Sequence, residues 1–368
     1  MPERSRFFRN VLVKALIVFA AVNGVFAAIN LMPALGRISL YNTLIPGRVR
    51  LPYGEDPQAD YSLSLFSLEA MFASHEISAR PAPDEFRVVL IGDSSTWGFL
   101  LKPEETLASR INRNSGGAVR VYNLGYPTMT VTKDLLMLSH AMPYEPDLII
   151  WLVTLESLPQ TKQLDSPILQ NNAEAVRALI AQYRLHSDPQ DPRLISPALR
   201  DRTLIGGRRA LADLIRLQIY GFLWAATGID QAIPAEFDPP QSDLEADESF
   251  HGLLPPELKE DDLAFDVLSA GRDLAAGVPL WIVNEPIYVS RGLNSGIRYN
   301  FFYPRWAYDQ YRLMLADWCR AQNLECFDFW DLVPAEEFSN SAIHRTPRGE
   351  AMLADALEAL IAKERNGR

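Results

Sequence analysis

Short apolar, β-branched runs alternate with amphipathic stretches along most of this chain, and that alternation restricts it to a parallel α/β arrangement. Arg87-Val88-Val89-Leu90-Ile91, Leu148-Ile149-Ile150-Trp151-Leu152-Val153 and Pro279-Leu280-Trp281-Ile282-Val283-Asn284 are near-continuous apolar runs, the pattern of strands covered on both faces. Val119 to Asn123 and Glu325 to Phe329 read as two further strands. Between them, Pro103-Glu104-Glu105-Thr106 starts a helix that Gly116-Gly117 ends, and Val131 to Ala141, Leu263 to Ala275 and about Trp306 to Gln322 read as helices. Right-handed crossovers then give a three-layer α/β/α sandwich with a mostly parallel, flavodoxin-like sheet of about five strands.

The first strand ends abruptly in Gly92-Asp93-Ser94-Ser95-Thr96-Trp97-Gly98. Ligands in open α/β sheets bind beyond the carboxyl ends of the strands, so Ser94 projects toward the expected crevice as a candidate nucleophile. Near the other end of the chain, Ile343-His344-Arg345-Thr346-Pro347-Arg348-Gly349 precedes a final helix, Glu350 to Ala362, and His344 is the candidate base. Two plainer readings stay open: a serine after a strand also caps helices, and a loop histidine is also an ordinary polar residue. His75, His140, His186 and His251 have no motif around them and read as solvent-exposed.

These residues resemble the SGNH (GDSL-type) hydrolase superfamily of serine esterases and acyltransferases. Gly92-Asp93-Ser94 is similar to its first block, Asn123-Leu124-Gly125 to its second, and His344 with Thr346-Pro347-x-Gly349 to its last, in the family's order between Glu85 and Ala362. The resemblance implies Ser94 as nucleophile, His344 as general base, the backbone N–H groups of Ser94 and Gly125 as oxyanion donors, and a scaffolding role for Asp93. Two positions depart from it. After the third strand the family places an Asn, where this chain has Thr154-Leu155-Glu156-Ser157. An ionised Glu cannot donate to an oxyanion, so Glu156 points away, stays protonated, or yields the task to another amide such as Asn284. The acid three residues before the histidine is replaced by Ser341, preceded by Asn340. Either the site works as a Ser-His dyad, with an Asn or Ser oxygen accepting Nδ1–H, or Glu285, Asp331, Glu336 or Glu337 reaches in.

Arg4, Arg6, Arg9 and Lys14 lead into an apolar stretch from Ala15 to Leu35, interrupted by Asn23, Asn30 and Pro33. About twenty such residues span a bilayer, and basic residues before them predict a cytoplasmic amino terminus with the rest exported. A signal peptide cleaved near Val25-Phe26-Ala27 and a buried core helix are the alternatives. The chain divides on this reading into a tail and anchor over 1–35, a connector over 36–84 with a short helix around Leu63 to Phe72, and a hydrolase-like domain over 85–364. A helical insertion at about 157–262, with helices at Asn172 to Tyr183 and Arg208 to Trp224, serves as a cap over the pocket or as peripheral decoration. The aromatic run Tyr299 to Trp306 lines a groove, packs in the core or faces the membrane.

A net charge of −11 without a basic patch in the folded region argues against a nucleic-acid partner. Cys319 and Cys326 lack the Cys/His cluster of a metal site, so no metal or other cofactor is expected; they pair as a disulfide or remain buried thiols. The leading expectation is an extracytoplasmic, membrane-anchored ester hydrolase acting on an ester or an acylated glycan or lipid through an acyl-enzyme on Ser94. An O-acyltransferase for cell-envelope glycans and a catalytically impaired binding module are the alternatives.

Overall fold

The computed structural model describes residues 2–36, 84–227 and 233–367, with the isolated positions 38, 40, 44, 68, 72 and 77. The connector expected over 36–84, its short helix and His75 lie almost wholly outside these described residues.

Among them, one all-parallel sheet contains β1 (Phe86–Ile91), β2 (Val119–Asn123), β3 (Leu148–Val153), β4 (Leu280–Asn284) and β5 (Glu325–Asp328), in the order β2-β1-β3-β4-β5. The helices used below are α1 (Pro2–Ile29), α2 (Ser94–Trp97), α3 (Leu107–Asn114), α4 (Val131–Ala141), α5 (Ala173–Tyr183), α6 (Arg208–Thr227), α7 (Phe265–Ala275), α8 (Arg305–Gln322) and α9 (Pro347–Asn366). Side chains alternate between the two faces of each strand. Val89, Ile91, Ile149 and Trp151 pack with α4, α7 and α8, while Val88, Leu90, Ile150 and Leu152 pack with α3 and α9. Each fully buried side chain of this kind stabilises by roughly 1.5–3 kcal/mol, which is why the apolar runs are central strands. The strand order reverses between β1 and β3, and the crevice beyond their carboxyl ends is where such sheets bind ligands.

Between β3 and α7 the described residues form short 3₁₀ turns, a five-residue helix Pro167–Asn171, α5 and α6, and join no strand to the sheet. α1 is long and apolar enough to cross a membrane. Its apolar side chains stand exposed along its length, including Leu12, Ile17, Phe19 and Val25, so the reading of this stretch as a buried core helix does not hold. Cys319, late in α8, and Cys326, in β5, form a disulfide with Cα atoms 6.2 Å apart, tying the edge strand to the helix before it. The aromatic run packs mainly inward: Tyr299 and Tyr303 are buried, and the Tyr303 hydroxyl meets Thr154 Oγ1 at 2.8 Å.

Candidate active site

β1 delivers Ser94 to the crevice through a tight strand-to-helix turn. Asp93 is the N-cap of α2 and its carboxylate accepts the Ser95 N–H at 2.8 Å, so the cap is an aspartate and neither serine fills that role. Ser94 occupies the first helical position, where an N–H has no acceptor within the helix. Its Oγ lies 2.8 Å from His344 Nε2. The other ring nitrogen, Nδ1, lies 3.1 Å from Asn340 Oδ1. An amide oxygen accepts only, so Nδ1 carries the proton and Nε2 presents a lone pair to the serine hydroxyl.

The residue that orients the imidazole is thus Asn340, four positions before it, while Ser341 does not share in that contact. Glu337 accepts from Thr346 Oγ1 and pairs with Arg348, so it serves the loop and not the ring. The loop is closed by Ser339 N–H on His344 O at 2.8 Å and Thr346 N–H on Glu337 O at 2.9 Å, and Thr346 then caps α9. The Phe99 ring approaches the His344 ring, with centroids 5.0 Å apart. Burial lowers the pKa of His344 to about 4; the Asp93 charge opposes this and the Arg345 charge reinforces it. Among the described residues no carboxylate bonds to the ring to offset the loss of solvent.

Glu285 is one of the carboxylates considered as an orienting acid, and the structure gives it a different task. Its Oε2 accepts from Ser95 Oγ and from Arg345 Nη1, the latter at 3.0 Å. Arg345 also pairs with Glu350 at 3.2 Å, and all three charged side chains are buried. Desolvation and the nearby Asp93 charge push the Glu285 pKa well up against the pull of Arg345.

Asn284 does not face an oxyanion either. Its amide donates to Asp328 Oδ1 at 2.8 Å, and its carbonyl accepts from the buried Tyr308 and Tyr311 hydroxyls, a network that joins β4 to β5 and α8. Glu156 is turned toward Lys162 and His251, with His251 Nε2 2.9 Å away. Burial would raise its pKa, but the His251 hydrogen bond and the Lys162 charge outweigh that and hold it below the ordinary value. Of the three fates open to Glu156, it therefore points to Lys162 and His251 and stays ionised. His251 is exposed, as expected, yet partnered.

Gly125 follows β2 and lies against α2: a Cβ there would stand 2.5 Å from Trp97 N and 2.8 Å from Thr96 C. Only a glycine permits that approach. Its N–H donates to Asn123 Oδ1 at 3.0 Å. Beneath the site, fully buried Lys133 of α4 donates to Gly92 O at 2.6 Å and Tyr126 O at 3.1 Å, linking the turns after β1 and β2. Sequence reasoning passed over both Lys133 and Arg345. The available signals were a lone Lys within an apolar helical stretch and an Arg beside the histidine.

A hydroxyl bonded to a neutral, oriented imidazole is the pairing that nucleophilic catalysis requires. None of the described residues forms a group of three or more His, Cys, Asp or Glu able to hold a metal ion.

No family model and no curated protein matches the chain. Among solved structures, it is similar to a carbohydrate acetylesterase family member from Sinorhizobium meliloti, at 14% identity and TM-score 0.33, covering 76% of this chain and 98% of that one. It is also similar to Est24, a carbohydrate acetylesterase from the same organism, at 13% identity and TM-score 0.35, covering 75% and 99%. A G-D-S-L-family protein from Desulfitobacterium hafniense matches at 12% identity and TM-score 0.31, covering 75% and 99%. Likenesses of this size carry no argument about activity, which rests on the site itself. In the order of its Ser, Gly and His blocks and in its parallel sheet, the chain resembles the SGNH (GDSL-type) hydrolases.

Proposed function

We propose that the protein is a serine ester hydrolase working through an acyl-enzyme on Ser94, with His344 as general base. The observation that carries the reading is the 2.8 Å contact between Ser94 Oγ and His344 Nε2, with the ring's far side held by Asn340. Ser94 Oγ attacks the ester carbonyl carbon while its proton passes to Nε2. The tetrahedral oxyanion is met by the Ser94 N–H and by the Gly125 N–H, which shares its hydrogen with Asn123. Collapse breaks the bond to the alcohol oxygen, which takes the proton from Nε2 and leaves. A water then gives its proton to Nε2, adds to the acyl carbon, and the carboxylic acid departs as the proton returns to Ser94. Asn340 fixes the tautomer throughout without supplying charge, a Ser-His-Asn arrangement in place of one ending in a carboxylate.

The proposed location is extracytoplasmic, with α1 as the anchor. Arg4, Arg6, Arg9 and Lys14 precede the apolar stretch, and the Cys319–Cys326 disulfide suits an oxidising compartment.

The test is hydrolysis of p-nitrophenyl acetate and labelling by a fluorophosphonate. Ser94→Ala is expected to lose both, with hydrolysis down by at least about a thousandfold, while Ser95→Ala still labels. Labelling that persists in Ser94→Ala rejects the assignment.

A further inference from the structure

A buried polar residue in a helix whose apolar side chains are mostly exposed marks a contact, and Asn23 is such a residue. It is buried within α1, accepts the Ile205 N–H on Oδ1 at 3.2 Å and returns its amide to Phe19 O at 2.9 Å. Ala27, one turn on, is covered as well. Asn23 lies six residues before the end of α1 at Ile29, about 9 Å along the axis at 1.5 Å per residue. The segment around Ile205 therefore meets the apolar helix well inside its carboxyl-terminal end.

α6 begins three residues later, and Gln218 fixes its other side by accepting the Leu40 N–H at 2.8 Å and donating to Ile38 O at 2.7 Å. Beside the face that Gln218 pins runs an exposed apolar stripe: Ile215, Ile219 and Leu223, spaced i, i+4, i+8, are 63%, 58% and 57% exposed. Ile195 and Leu199, in the segment leading to it, are each 69% exposed. Between 200 and 209 stand four arginines against a single aspartate, a balance that suits anionic headgroups.

We propose that α6 and the segment before it form a second membrane contact, an amphipathic helix whose Ile215–Ile219–Leu223 face lies at the headgroup–acyl boundary of the leaflet into which α1 emerges. The occupant of that face is lipid. Continuity with α1 through the Asn23–Ile205 bond places the bare face at membrane depth, and such helices bury their apolar side about 5–10 Å into the boundary. The domain is then held at two points and cannot rotate freely about a single tether. The inference rests on the proposed role of α1 as a membrane span.

The experiment uses the full chain in phosphatidylcholine–phosphatidylglycerol vesicles, carrying one of Phe19→Cys, Ile219→Cys, Leu223→Cys or Leu313→Cys and labelled with an environment-sensitive fluorophore. The native cysteines are paired and do not label without reductant. Leu313, on α8 and 69% exposed, is the solvent reference. Quenching by nitroxide-bearing lipids is expected at Phe19, and at Ile219 and Leu223 roughly threefold or more above Leu313, as for a face inserted in the boundary. Quenching at Phe19 with Ile219 and Leu223 equal to Leu313 overturns the α6 contact while leaving the anchor intact. Absence of quenching at Phe19 overturns the anchor and the α6 contact with it. Labels at Ile219 that are shielded from solvent but not quenched by lipid assign the face to another copy of the chain or another protein, and also overturn the proposal.

Discussion

Ser95 and Arg345 donate to the same atom, Oε2 of Glu285. One follows Ser94 and the other follows His344, so a single buried carboxylate sets the spacing between the proposed nucleophile and the proposed base from behind. Further bonds reach the same loop: Tyr288 N–H donates to Ala342 O at 2.7 Å, beside the histidine.

Glu285→Gln is expected to lower both stability and turnover. Removing one charge of a buried pair costs about 3–5 kcal/mol, and here Arg345 retains Glu350, which favours the lower end. Turnover is expected to fall with KM little changed, since the base is displaced and the substrate pocket is not. Ser95→Ala, which deletes one hydrogen bond and leaves the ion pair, is expected to cost only about 1 kcal/mol. Chemical denaturation alongside steady-state kinetics checks both, and Glu285→Gln kinetics indistinguishable from the parent would contradict the shared-carboxylate account.

The pH dependence follows from His344. With its pKa lowered to about 4, the ring is neutral and competent as a base through mildly acidic conditions, so the acid limb of kcat/KM is expected near pH 4 and not near 6.5. For stability the sign is set by the same shift. The unfolded chain protonates this histidine first, so its contribution falls as pH drops from about 6.5 toward 4. Asn340→Asp places a negative charge at Nδ1 and is expected to move the acid limb upward and raise the rate at neutral pH by about tenfold, the worth of 1.36 kcal/mol of barrier. Asn340→Ala is expected to slow the reaction. A pH–rate series on the three proteins decides it, and an unmoved acid limb in Asn340→Asp would exclude contact between the two side chains.

Glu156→Asn is expected to be a stability variant. It breaks the contacts with Lys162 and His251, and because Glu156 has a lowered pKa its contribution is present above the ordinary carboxylate range and lost as pH falls through the folded-state value. The loss should therefore be visible at neutral pH and vanish in acid, with ester hydrolysis altered by less than about threefold, since each tenfold needs 1.36 kcal/mol at the reacting atoms. A large rate increase at neutral pH would show instead that its charge reaches the oxyanion.

Gly125→Ala is expected to abolish most activity while the sheet survives. The new methyl group meets backbone atoms of Thr96 and Trp97 within 3 Å, and these cannot yield without moving α2 and Ser94. Near-normal kcat in a folded Gly125→Ala protein, judged by circular dichroism, would disprove that dependence.

The strands and most helices were legible because burial on both faces leaves a plain mark in composition: Val88 to Ile91 and Leu148 to Val153 have no other use. Ser94 and His344 were legible because each sits at an element boundary in a recognisable local pattern. Asn340 was named beside Ser341 with the choice between them open, because whether the residue three or four places before a loop histidine faces it depends on how the loop closes, here through Ser339 and Glu337. Glu285, Lys133 and the Glu156–His251 pair were beyond reach for a stronger reason. Their partners lie on separate elements, and a carboxylate in a sequence looks the same whether it faces water, an arginine or a reacting group.

Lys133 carries a consequence for how the site holds together. Its Nζ is bonded at once to the carbonyl before the Ser94 turn and to the carbonyl after Gly125, while the Tyr126 N–H closes on that same Gly92 carbonyl at 3.0 Å. Two loops that would otherwise fluctuate separately are thereby clamped to one helix, and a displacement of α4 carries them together. The gap between the Ser94 hydroxyl and the Gly125 N–H then follows the position of α4, which the insertion itself reaches through Gln163, bonded to both the N–H and the Oγ1 of Thr132.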